Sequence, residues 1–157
     1  MHVRDAGEAL YIACEMEKRA IRLYERALAV FADGPCQEAI RAILADECHH
    51  LEQFTQMGAA APEFERAQML SAQASRVLFS GGLTEAHRKG AFESEAALYA
   101  YAAQEEKEAI VCYGDFAAAL EGPAAQAFAL IQMEEKQHLI KLNGMLKNGS
   151  DEGKETR

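Results

Sequence analysis

Two stretches of this chain each occur twice. MEKRAIRLY at residues 16–24 is answered by EEKEAIVCY at 105–113, and DECHHL at 46–51 by EEKQHL at 134–139. The offset is 89 residues for the first pair and 88 for the second. Such a chain is built from two copies of one unit, and the hydrophobic period says what the unit is.

The period is helical. In the first unit the apolar stripe reads Leu10, Cys14, Glu17, Ile21, Tyr24, Leu28, Phe31, with spacings of three and four. Asp33-Gly34-Pro35 breaks it. A second stripe follows through Ile40, Ile43, Glu47, His50, Phe54 and Met57. In the second unit Tyr99, Ala103, Glu106, Ile110, Tyr113, Ala117 and Leu120 form one stripe. Glu121-Gly122-Pro123 ends it, and Phe128, Ile131, Glu135, His138, Leu142 and Leu146 form the last. The spacing predicts long helices over about 6–31, 36–57, 91–120 and 124–147. A 58–90 connection carries a short helix around Phe64–Leu78, with Thr84 as a candidate cap. The polar tail over 148–157 is expected to be disordered. Short turns make each unit an antiparallel hairpin. The connection between units is long enough to return the ~36 Å length of a helix. The expected architecture is therefore all-α: a four-helix bundle of two repeated hairpins, joined by a long crossover that leaves the second and third long helices parallel.

Acids belong on the wet side of a helix, yet Glu17, Glu47, Glu106 and Glu135 stand within the apolar stripes. Each hairpin contributes one single Glu and one Glu-x-x-His, at about the same height, ~20–24 Å from its turn. Residues three apart on a helix can reach one centre, so Glu47 with His50 and Glu135 with His138 can each act together. Four buried carboxylates without partners would be prohibitive. Two divalent cations would cancel their charge, and oxygen-rich ligation with one imidazole per ion suits iron or manganese.

The twofold E-x6-Y and E-x-x-H set resembles the ferritin-like di-iron carboxylate proteins, and among them the rubrerythrin-like group, over about residues 6–147. The resemblance implies a centre of two Fe ions, with Mn or a mixed pair as the alternative. Glu47 and Glu135 would bridge. Glu17 and His50 would complete one ion's ligands, and Glu106 and His138 the other's. Tyr24 and Tyr113 would donate hydrogen bonds at the catalytic centre; a plain core tyrosine is the competing reading. The implied activity is reduction of peroxide or O2 in oxidative-stress defence, in a homodimer. A ferroxidase, or an iron-storage protein with little turnover, would use the same residues. Two departures stand out. The chain has no paired CxxC motif of a rubredoxin domain, so electrons would come from a separate, rubredoxin-type donor. Rubrerythrins carry a further Glu where this chain has Ala109. A register shifted by one, Glu105 with Glu108, would restore that acid but rotates the pair off the stripe.

Other features narrow the class. A formal net charge of −9 argues against nucleic acid or an anionic membrane as partner. No segment approaches the ~20 apolar residues of a membrane span, and no signal-peptide run opens the chain. Cys14, Cys36, Cys48 and Cys112 form no zinc-ribbon spacing and are expected as free, small apolar residues in a reducing, cytoplasmic setting. His49 should face solvent, about 100° from His50. Asp46 and Glu134 either orient the histidines or are simply solvated. Tyr99 reads as core, and His87-Arg88-Lys89 as a solvated basic cluster.

Overall fold

The Asp5 carboxylate accepts from the Glu8 backbone N–H at 2.9 Å and starts α1, Ala6–Val30. The protein is seen here as a computed structural model that describes residues 3–61, 63–67 and 82–152. After the turn come α2 (Gln37–Ala59), α3 (Gly82–Arg88), α4 (Glu95–Ala119) and α5 (Gly122–Glu152). Residues 63–67 are also helical, and no strand occurs among the described residues. The rest of the helix expected over 64–78 lies outside them. Among the described residues, no helix is long and apolar enough to cross a membrane.

The turns are built from local chemistry. The Gln37 amide donates to the Leu28 and Phe31 carbonyls, at 3.0 and 2.8 Å, and so satisfies orphan acceptors at the end of α1. Gly34 lies against the Glu95 carboxylate, where any Cβ would collide. The Ser94 hydroxyl accepts from the Ala97 N–H and starts α4. That cap sets the start four residues after the expected 91, because residues 89–92 form turns. Thr84 lies inside α3 instead of capping it. Gly122, at φ 67°, supplies the left-handed residue that opens α5, and Pro123 takes its first turn, where a missing N–H is harmless. No proline follows Lys147 to stop α5, which continues through Glu152. The remainder of the tail lies outside the described residues.

Contacts between long helices run in opposite order along each pair. On α1 and α2, Leu28 meets Gln37 near the turn and Cys14 meets Thr55 at the far end. On α4 and α5, Phe116 packs on Phe128 near the turn and Glu106 approaches His138 further along. The same holds for α2 with α5 (Asp46–His138, Phe54–Phe128) and for α1 with α4 (Tyr24–Glu106, Tyr113–Glu17).

The core has two apolar clusters. One gathers Leu10, Cys14, Phe54, Tyr113, Phe116 and Phe128; the other gathers Leu23, Ile40, Ile43, Leu98, Ala102 and Leu142. On every long helix the inward acid falls between them: Glu17 after Cys14 and before Leu23, Glu47 after Ile43 and before Phe54. The polar layer is thus sealed above and below by hydrocarbon. Phe128 is fully buried, with its ring centroid 5.1 Å from Phe54, 5.7 Å from Tyr113 and 5.2 Å from Phe116. Phe128→Ala should destabilise the protein by about 3–5 kcal/mol, and Phe128→Leu by clearly less. A denaturation midpoint unchanged by Phe128→Ala would show that this ring cluster does not hold the bundle.

Candidate metal centre

Helical spacing puts one carboxylate of α1, one of α4 and a carboxylate–imidazole pair of both α2 and α5 into the layer between the apolar clusters. All six sequence-selected residues are buried, none more than 4% exposed. Their donor atoms form two groups, each with its atoms within 4.8 Å of one another: Glu17, Glu47, His50 and Glu135, and Glu47, Glu106, Glu135 and His138. Glu47 and Glu135 belong to both. Each group could hold a metal ion.

The two groups match contact for contact. His50 Nδ1 lies 3.3 Å from Glu47, 3.2 Å from Glu135 and 3.8 Å from Glu17. His138 Nδ1 lies 3.0 Å from Glu135, 3.2 Å from Glu47 and 3.9 Å from Glu106. The imidazoles stack with centroids 5.9 Å apart. Both rings aim Nδ1 at the carboxylates and Nε2 outward. There Glu134 meets His50 Nε2 at 2.7 Å and Asp46 meets His138 Nε2 at 3.1 Å. These two acids, left open between orientation and solvation on sequence grounds, do both: their side chains are about half exposed while one oxygen fixes each ring. With Nε2–H donating outward, the Nδ1 lone pair is free for a cation.

Tyr24 donates to Glu106, and Tyr113 to Glu17, both within the buried layer. Each tyrosine therefore serves the acid of the other repeat. His49 is exposed, and Tyr99 is core, in the second apolar cluster and in neither donor group. Glu105 and Glu108 of the shifted register belong to neither group. One oxygen, Glu47 Oε1, is buried without a hydrogen-bond partner, although His138 Nδ1 stands 3.2 Å away. An orphan carboxylate oxygen at the centre of a donor set made only of carboxylates and imidazoles fits a divalent cation.

Electrostatics describe the same fit. Burial, then the negative charge of Glu47, pushes the Glu17 carboxyl well above its ordinary range, and Glu106 is raised for the same reasons. Burial alone would lower the imidazoles, but the Glu135 and Glu47 carboxylates against them lift His50 to about 12 and His138 to about 11. Burial would raise Glu47 too; the His138 and His50 imidazoles beside it outweigh burial and hold the group at about 2. Without metal, both imidazoles and the Glu17 and Glu106 carboxyls therefore hold protons more tightly than the same groups do in water. Protons and divalent cations would compete for the same positions in the layer.

The sequence reading missed a pocket on the α1–α4 side, a cavity of about 60 Å³ that reaches Glu17, Glu106, Tyr24 and Tyr113. Ala20 and Ala109 line it, and Arg19 pairs with Glu105 across it at 2.7 Å. The two alanines were a detectable signal, since each stands three residues after a stripe Glu in its repeat. The Arg19–Glu105 pairing had none.

Compared with protein-family models, curated proteins and solved structures, the chain matches none.

Two outcomes follow from the protonation pattern. For the metal-free protein, the raised histidines and the raised Glu17 and Glu106 all bind protons more tightly folded than unfolded. Their stabilisation is complete below the unfolded values and is lost as pH rises towards the folded ones. Thermal stability in chelator should thus fall steadily between about pH 5 and pH 9. Below about pH 4.5 the depressed Glu47 works the other way, so stability should fall there too. Loading with a divalent cation should release protons at neutral pH, read with an indicator dye in weak buffer, whereas no release would show that the layer is not protonated before metal binds. Asp46→Asn and Glu134→Gln should each weaken cation binding by about 10- to 100-fold in a competition titration; unchanged affinity would show that the outer acids do not orient the rings.

Proposed function

We propose that the protein is a ferritin-like dinuclear carboxylate protein of rubrerythrin-like type. In this reading it is an oxidoreductase that reduces peroxide or O2 with electrons from a separate donor protein. The observation that carries the reading is the pair of overlapping donor groups, each with one single Glu and one imidazole of its own and sharing Glu47 and Glu135. The opposite-order contacts support the ferritin-like topology: α1 opposes both α2 and α4, so α2 and α4 run the same way and a crossover must return the length of the bundle.

In this reading Glu47 and Glu135 span two ions, Glu17 with His50 hold one, and Glu106 with His138 hold the other. Two iron ions, or manganese in their place, would supply the electron pair that a small oxidant takes up. The protein's own groups do the rest. Asp46 and Glu134 keep each imidazole's Nδ1 towards the centre. Tyr24 and Tyr113 hold Glu106 and Glu17 in place and store a proton at each hydroxyl within the dry layer. The small cavity over Glu17 and Glu106 has room for a few water-sized molecules and excludes a bulky organic substrate. The four cysteines are free and include no CxxC pair, so the electrons come from outside the chain. Free thiols suit a reducing compartment such as the cytoplasm, and kinship suggests a homodimer.

The test is anaerobic loading with ferrous iron, metal analysis, and then addition of peroxide with a supplied reductant. Two ions per native chain and repeated peroxide turnover are expected. Glu47→Ala should lose both ions, whereas Glu17→Ala should retain one. A single slow oxidation with iron retained would sink the peroxidase reading in favour of a ferroxidase or storage protein. A native chain that binds no divalent ion would sink the metal reading itself.

A further inference from the structure

The buried layer has two sides, and they differ. On the α2–α5 side the stacked imidazoles fill the bundle, and Asp46 and Glu134 cover their outer nitrogens. On the α1–α4 side, Ala20 and Ala109 stand one turn beyond Glu17 and Glu106 and leave the cavity. Any larger side chain at either position would project into it. Arg19 and Glu105 then join α1 to α4 across this opening, each about a quarter exposed.

From this geometry we infer that the α1–α4 cleft is the passage between solvent and the metal centre, and that the Arg19–Glu105 ion pair is its gate. The inference rests on the metal reading above and adds where the cation and any small oxidant enter. The ion pair is the part of the roof that can open without disturbing the apolar clusters, because both partners already reach solvent. Opening needs only a change of rotamer in two long side chains. The species that pass are a bare or partly hydrated divalent cation, or a molecule of two or three heavy atoms, since two alanines on opposing helices set the width.

The pair could instead act as an electrostatic funnel, and the two roles predict opposite signs. A gate opens when either partner is lost. A funnel for cations is improved by removing Arg19 and weakened by removing Glu105. The experiment follows uptake of Co2+ by the metal-free full chain, read from its visible absorption, and its removal by excess chelator. Arg19→Ala and Glu105→Gln should both speed uptake and removal by roughly two- to fivefold, the population shift given by losing a partly exposed ion pair. The charge-exchanged double variant Arg19→Glu with Glu105→Arg should return the rates towards native. Ala109→Leu or Ala20→Leu should slow both processes by about tenfold or more without changing the final stoichiometry; Ala→Val at the same sites serves if leucine prevents folding. Opposite effects of Arg19→Ala and Glu105→Gln would overturn the gate. Two equivalents taken up at rates that none of these substitutions alters would overturn the passage and leave the metal reading standing. No uptake by the native chain would overturn both.

Discussion

Four carboxylates in a layer sealed by phenylalanine, leucine and isoleucine are the constraint to which the rest of the bundle answers. An isolated buried carboxylate is far too costly for a domain whose net stability is a few kcal/mol. The layer can close only if four positive charges join it. Protons drawn to His50, His138, Glu17 and Glu106 offset that charge, and each of the two donor groups could instead hold a metal ion. An imidazole among carboxylates can serve either way: a cation when protonated, a neutral donor when its lone pair is free for a metal.

The duplication makes the layer whole only when the two halves dock. Each donor group takes three residues from one repeat and a shared Glu from the other. The bonds that hold the donor residues cross over too: Tyr24 to Glu106, Tyr113 to Glu17, Glu134 to His50 and Asp46 to His138. A single hairpin would present two acids and a histidine with neither their supports nor their partners. The polar contacts therefore set the register between hairpins, while hydrophobic burial supplies the drive. A slip of one residue between hairpins would break all four crossing bonds together.

The donor residues were legible in the sequence because the helical period carries direction. Glu47 and His50 fall on the same stripe as Ile40 and Phe54, and a stripe has only one way to face. The repeat then tied two such stripes together at equal heights. What the period could not show was pairing between helices not adjacent in sequence. Asp46 and Glu134 sit at the border between stripe and solvent, where direction alone leaves both readings open; only the approach of α2 to α5 shows that each reaches the opposite histidine. The start of α4 was missed because the apolar pattern continues through Ala91, while Ser94 decides where the backbone turns helical. The end of α5 was missed because polar residues were read as a stop, though polarity alone does not end a helix.

One difference between the halves falls at the mouth of the cleft. Under the overlay, Met16 corresponds to Glu105 and Arg19 to Glu108, while Ala20 and Ala109 match. Had the first repeat carried acids where the second does, four carboxylates would crowd the opening directly above four more in the buried layer. Like charges at that spacing repel, and the cleft would be held apart and wet. Replacing two of them by a thioether and a guanidinium turns the repulsion into one cross-helix attraction and lets α1 and α4 close over the cavity. Duplication supplied matching acids and imidazoles inside; divergence at two positions supplied a roof, which two identical repeats could not have made.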